Sequence, residues 1–117
     1  MSNHGALELT RSILLSRGSD LSLMKSVIGL MRNLCADDVR KDKLVADGTL
    51  DLLIAKMGDE VYAADAALME HAFACLAAIS LRSPSNAQRI LDTGQFLVND
   101  YYFINKFSAF FVIVNHM

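Results

Sequence analysis

Two cysteines, three histidines and a scatter of carboxylates carry whatever side-chain chemistry this chain holds. His71 and Cys75 stand four positions apart, which on a helix sets a nitrogen and a sulfur on one face, as a metal pair requires. Two ligands make no site, His4 and His116 lie at the chain ends, and no Cys-x-x-Cys spacing occurs. Cys75 therefore reads as a small packed hydrophobe. Cys35 follows Leu34 at a helix end and is expected to be partly exposed, with no histidine near in sequence to activate its thiol. Neither a G-x-S-x-G elbow nor a G-x-x-x-x-G-K-[ST] phosphate loop is present. Glu8, Asp51, Asp59, Glu60 and Asp65 are spread at solvent-facing spacing rather than paired for acid–base work. The run Arg40-Lys41-Asp42-Lys43 mixes signs and reads as a solvated short helix, and Met24, Met31, Met57 and Met69 read as packing. These residue types predict no catalytic group, no metal and no cofactor, hence a protein that is not an enzyme.

The elements that would position any site are helical. With 53% hydrophobic and 21% charged residues, the 117 residues have enough apolar surface for a core and suffice for one domain. One proline and six glycines are too few for a sandwich or barrel of many short turns. A net charge of −2 gives no excess to grip a phosphate backbone, so nucleic acid is not an expected partner. Two cysteines form no disulfide framework, and MSNHGALELTRS lacks the basic-then-apolar order of a secretion signal. An intracellular, reducing setting follows, the cytoplasm being the expected compartment and the nucleus left open. The periodicity predicts helices over 6–16, 21–36 with Ser19 or Asp20 as cap, and 37–46 behind Asp37 or Asp38. Gly48 then ends that helix in the left-handed region. Further helices are expected over 49–57, from after GDE at 58–60 to near Leu81, and from Ser85 or Asn86 to Thr93.

The chain also repeats. GALEL at 5–9 is answered by GTLDL at 48–52, and LVADG at 44–48 by ILDTG at 90–94, so Gly5, Gly48 and Gly94 mark one recurring joint. Met24, Val27, Leu30, Met31 and Leu34 recur as Met69, Ala72, Cys75, Leu76 and Ile79, shifted by 45 positions. That pattern is a long helix with one buried stripe. Leu30, Met31, Leu34, Leu52, Leu53, Leu76, Ile79 and Ile90 are accordingly the expected core.

A short helix, a glycine joint, a medium helix, a turn and a long helix, repeated every 43 to 46 residues, resemble the armadillo-repeat family. LVADGTLDLL carries the likeness at the joint between first and second helices, and LMRNLC at the third-helix ending. The resemblance implies an all-α, right-handed helical solenoid of about two repeats over 1–94, followed by a divergent hydrophobic tail over 95–117. It also implies that Asn33 lies on a concave third-helix surface, where an amide can hydrogen-bond the backbone of an extended peptide. Lys25, Gly29, Arg32, Asn33, His71, Ala74 and Ala78 are the expected partner-binding residues for a protein or extended peptide. Ala78 stands where Asn33 recurs in the next repeat. Gly29 and Ala74 stand where import receptors of the superfamily carry tryptophan, so a nuclear-localisation-signal groove is not expected. A truncated structural fragment without independent function is the alternative reading, since repeats stabilise through neighbours and about three are usually needed.

Seven of the nine aromatics fall in the last 24 residues, beside only Asp100 and Lys106 as charges. The segment is interrupted too often to span a membrane. Its stretch FSAFFVIV at 107–114, from Phe107 to Val114, has the content of an aggregation-prone strand and is a route to self-association if left uncovered. The tail is read first as an incidental end, with a helical cap over the last repeat as the alternative.

Overall fold

Short polar side chains start most of these helices. The computed structural model describes residues 3–94, with side chains from residue 5 onward. The divergent tail over 95–117, with Phe107 and Val114, lies outside them, as do the side chain of His4 and all of His116. Seven helices run in order: α1 (Asn3–Ser16), α2 (Leu21–Leu34), α3 (Asp38–Ala46), α4 (Thr49–Met57), α5 (Glu60–Ala63), α6 (Ala66–Ser80) and α7 (Pro84–Thr93). The class is all-α, and no strand occurs among the described residues.

Each start has a local cause. Asp20 caps α2 by accepting from the Leu23 amide at 3.1 Å, Asp37 caps α3 from Val39 at 3.2 Å, and Asp59 caps α5 from Val61 at 2.8 Å. These bonds satisfy amides that the first helical turn leaves without partners. Gly48 has φ +86°, the left-handed region expected of it, and Asp47 accepts from both the amide and hydroxyl of Thr49 as α4 begins. Gly94 ends α7 at φ −91° and Gly5 lies inside α1, so the three glycines do not share one backbone conformation.

Two boundaries depart from expectation. The single helix expected after GDE is two, because Asp65 leaves the helical region to accept from the Leu68 amide at 3.1 Å and starts α6 anew. The last helix begins earlier than expected: Ser83, not Ser85 or Asn86, is its cap, with Pro84 in the first turn. Asn86 is buried instead and donates to the Ile79 carbonyl at 3.1 Å, closing the end of α6.

The helices pack around one core. α2 lies against α6, α1 against α2 and α4, and α3 against α4, while α7 meets both α6 and α4. The buried face of α2 is Met24, Val27, Ile28, Met31 and Leu34. Its counterpart 45 positions on is Met69, Ala72, Phe73, Leu76 and Ile79, all buried on α6. Of the expected core, Leu30 is the misplacement: it is 41% exposed, and Ile28 fills the stripe position assigned to it. Leu52 is half-buried at the core's edge, whereas Met31, Leu34, Leu53, Leu76, Ile79 and Ile90 are buried as expected.

Candidate functional site

The seam between α2 and α6 opens on one side into two adjoining cavities. One, of about 450 Å³, is lined by Ser26, Gly29, Leu30, Arg32, Asn33, His71 and Ala74. The other, of about 540 Å³, is lined by Arg32, Asn33, Cys35, Ala36, Lys41, Ala78, Leu81 and Arg82. Arg32 and Asn33 belong to both, so the two form one trough along the seam.

Helical spacing explains who lines it. Ser26, Gly29, Leu30 and Asn33 fall three or four apart, on the side of α2 away from the buried stripe. His71, Ala74 and Ala78 do the same on α6. Gly29 and Ala74 keep the first cavity open, and a Cβ at Gly29 would meet no atom within 4 Å. Of the seven residues expected at a binding face, the trough joins Gly29, Arg32, Asn33, His71, Ala74 and Ala78. Lys25 lines neither cavity; its ammonium pairs with Asp65 at 3.1 Å and ties α2 to the start of α6.

The second cavity holds residues that sequence reasoning assigned elsewhere. Lys41, expected on a solvated helix, is only 2% exposed. Its ammonium donates to the Leu81 carbonyl at 2.6 Å and pairs with Asp38 at 3.0 Å. Burial of this charge is tolerated because both partners are supplied. Its signal was weak, since an alternating-charge run looks the same whether one member turns inward or none does. Asp38 is also 3.4 Å from Arg82, and its carboxyl is held below the usual range, first by the hydrogen bond from Lys41 and then by Arg82. Arg82 is the only non-glycine among the described residues at positive φ, at +57°, where the chain turns out of α6.

Cys35 is buried, against the expectation of partial exposure, because the turn after α2 folds it into the core. His71 and Cys75 separate in the opposite sense: His71 is exposed in the trough and Cys75 is wholly buried. One helical turn keeps them near in angle, yet the side of α6 that meets α2 has its edge between them. Among the described residues no group of three or more His, Cys, Asp or Glu is placed to hold a metal ion. Nor is any helix there long and apolar enough to cross a membrane.

No protein-family model matches the chain, and neither a curated protein nor a solved structure matches it.

Proposed function

We propose that the chain is a non-catalytic protein-binding module, a helical solenoid of about two armadillo-type repeats working inside the cell. The third-helix face, formed by α2 and α6, takes an extended peptide or a loop of a protein partner. Three recurrences support the repeat reading. The cap bond from Asp20 to Leu23 recurs 45 positions on from Asp65 to Leu68, both at 3.1 Å. The buried stripes of α2 and α6 correspond at the same shift. The contact of α1 with α3 also has a counterpart in that of α4 with α7. The charged DDVRKD turn and SLRSPSN loop further resemble those of armadillo repeat-containing protein six.

The single observation that carries the binding role is the shared trough, with Arg32 and the Asn33 amide lining both of its cavities. An amide offers donor and acceptor together, which suits the backbone of an extended chain. Gly29 and Ala74 let such a chain approach closely, while Leu30 supplies apolar contact. Lys41 and Arg82 are already engaged by Asp38, so affinity is expected to fall little between low and physiological salt. The test is selection of peptides from a displayed random library, followed by titration against Asn33→Ala and the trough-filling Ala74→Trp. Both variants should weaken the selected peptides by about tenfold or more. Peptides that bind both variants as well as the parent chain would overturn the assignment.

A further inference from the structure

The trough is one-sided in charge. Among the described residues neither cavity is lined by an Asp or a Glu, whereas the second is lined by three cations, Arg32, Lys41 and Arg82. Two of these have a carboxylate partner: Lys41 and Arg82 meet Asp38 at 3.0 and 3.4 Å. Arg32 is exposed and lines both cavities, and its guanidinium makes no ion pair or hydrogen bond among the described residues.

Structural duty accounts for part of this charge. Cys35 and Leu81, the C-caps of α2 and α6, both line the second cavity, so the carbonyl ends of two helices border it. Each such end carries about half a negative charge, and cations beside it are expected on that ground alone. Lys41 meets this need at the Leu81 carbonyl. The two ends and the Asp38 carboxylate together supply about two negative charges against the three positive ones. About one positive charge is left over, and Arg32 is the cation without a partner. That surplus matches the single charge of a carboxylate better than a phosphate monoester, which brings about 1.5 to 2 at neutral pH.

The donors suit a carboxylate as well. A guanidinium is a planar fork that can take both carboxylate oxygens at once. The Lys41 side chain is 3% exposed and has two partners, the Leu81 carbonyl and Asp38, which leaves one of its three ammonium hydrogens for a further acceptor.

We propose that the second cavity is a subsite for an acidic residue: the extended partner carries an Asp or Glu whose carboxylate is held by Arg32, with Lys41 and Arg82 adding their charge. The inference rests on the trough taking an extended peptide, and adds that this peptide is acidic at one position and uncharged over Gly29, Leu30 and Ala74. The acid is a side chain rather than a C-terminus, because Asn33 is shared by both cavities and a chain bonded to it through its backbone continues into each. A Lys or Arg at that position is rejected by like charge. One ion pair set in a cavity is screened less than an exposed pair, so the weak salt dependence expected of the whole peptide is unchanged.

The experiment takes peptides selected by the parent chain from a displayed random library and synthesises them with acetylated and amidated ends. One Asp or Glu position should recur among them. Changing that residue to Asn or Gln should weaken binding by about tenfold. Arg32→Gln should weaken the acidic peptide as much and leave the amide peptide unaffected, so that both changes together cost no more than either alone. Phosphoserine at the same position should bind no more tightly than Glu. Binders that need Asn33 but share no acidic position, or an acidic position whose loss adds to that of Arg32→Gln, would overturn the subsite while the binding role stands. Tighter binding of phosphoserine, or loss of binding through amidation alone, would overturn the assignment to an acidic side chain. Failure to select any peptide sensitive to Asn33→Ala would remove the binding role and the subsite with it. The change in the peptide needs no protein variant, so a variant that fails to fold leaves the test intact.

Discussion

Tyr62 shows how much one side chain can hold. It is 3% exposed on α5, and its hydroxyl donates to the Gly18 carbonyl at 2.6 Å, joining segments 44 positions apart. The turn that offers this carbonyl needs glycine, since a Cβ at Gly18 would stand 2.8 Å from the Leu14 carbonyl oxygen. Tyr62→Phe should cost about 1 kcal/mol at neutral pH, measured by denaturant unfolding, since it keeps the ring and leaves a carbonyl without its donor. Burial, and then Asp59, raises the Tyr62 pKa above its ordinary 10.0. A raised folded-state pKa means that the contribution is complete below pH 10 and lost as pH climbs through the higher folded value, because phenolate is favoured in the unfolded chain. The gap in stability between the parent chain and Tyr62→Phe should therefore narrow above pH 10. A gap constant to strongly alkaline pH would remove Tyr62 from that role. Lys41 belongs to the same class of contact, since its bond to the Leu81 carbonyl spans 40 positions.

At the scale of helices, two substitutions on α2 and one on α6 separate stripe from trough. Leu76 is 1% exposed, and Leu76→Ala should lower stability by about 2–5 kcal/mol, the range for deleting a buried leucine whose site cannot collapse. Leu30→Ala should cost about 0.5 kcal/mol or less, as for a surface change, because Leu30 is 41% exposed. Gly29→Ala should stabilise by about 0.5–1 kcal/mol, since glycine in a helix interior is disfavoured by that amount and the added methyl meets open space. Thermal or denaturant melts of the three check all of it; equal losses at Leu76 and Leu30 would erase the distinction. These positions also show what was legible. Most helix ends could be read, because Asp20, Asp37 and Gly48 are local signals, and the trough could be largely read because Gly29, Asn33, Ala74 and Ala78 sit at one helical spacing. Leu30 was misassigned because it borders the apolar stripe, where the 45-residue correspondence pairs it with Cys75 while neighbour packing selects Ile28 and Phe73. The break at Asp65 is hidden because alanines on both sides suit a continuous helix, while the cap bond to the Leu68 amide and the distant pairing with Lys25 favour the break. Lys41, Arg82 and Cys35 entered the site through folding of distant segments, which no short spacing encodes.

Across the whole described structure, polar contacts between segments distant in sequence recur at separations of 38 to 44 positions. Arg89 pairs with Asp51 at 2.6 Å, Arg82 with Asp38 at 3.4 Å, and Lys25 with Asp65 at 3.1 Å across 40. They are exposed or half-exposed, so each is worth little alone and is weakened by salt. Their sum nonetheless gives the molecule an acid-side dependence with a determined sign. The Asp65 carboxyl is lowered, first by the Leu68 amide and then by Lys25, and that of Asp38 by Lys41 and then Arg82. A depressed folded-state pKa contributes stability that is complete above the ordinary carboxylate value of 3.8 and is lost as pH falls through the lower folded value. Stability should therefore hold level through neutral pH and decline on the acid side. Asp65→Asn separates two origins of that decline at one residue. Asparagine caps a helix nearly as well as aspartate, so the bond to the Leu68 amide survives and neutral-pH stability should change little. The charge that pairs with Lys25 is gone, so the acid-side slope should be shallower than in the parent chain, and the difference between the two should shrink as salt is raised. Melting temperatures measured across the acid range at low and high ionic strength decide it. Parallel acid limbs for the two chains would mean that Asp65 contributes as a cap and not as a charge joining α2 to α6.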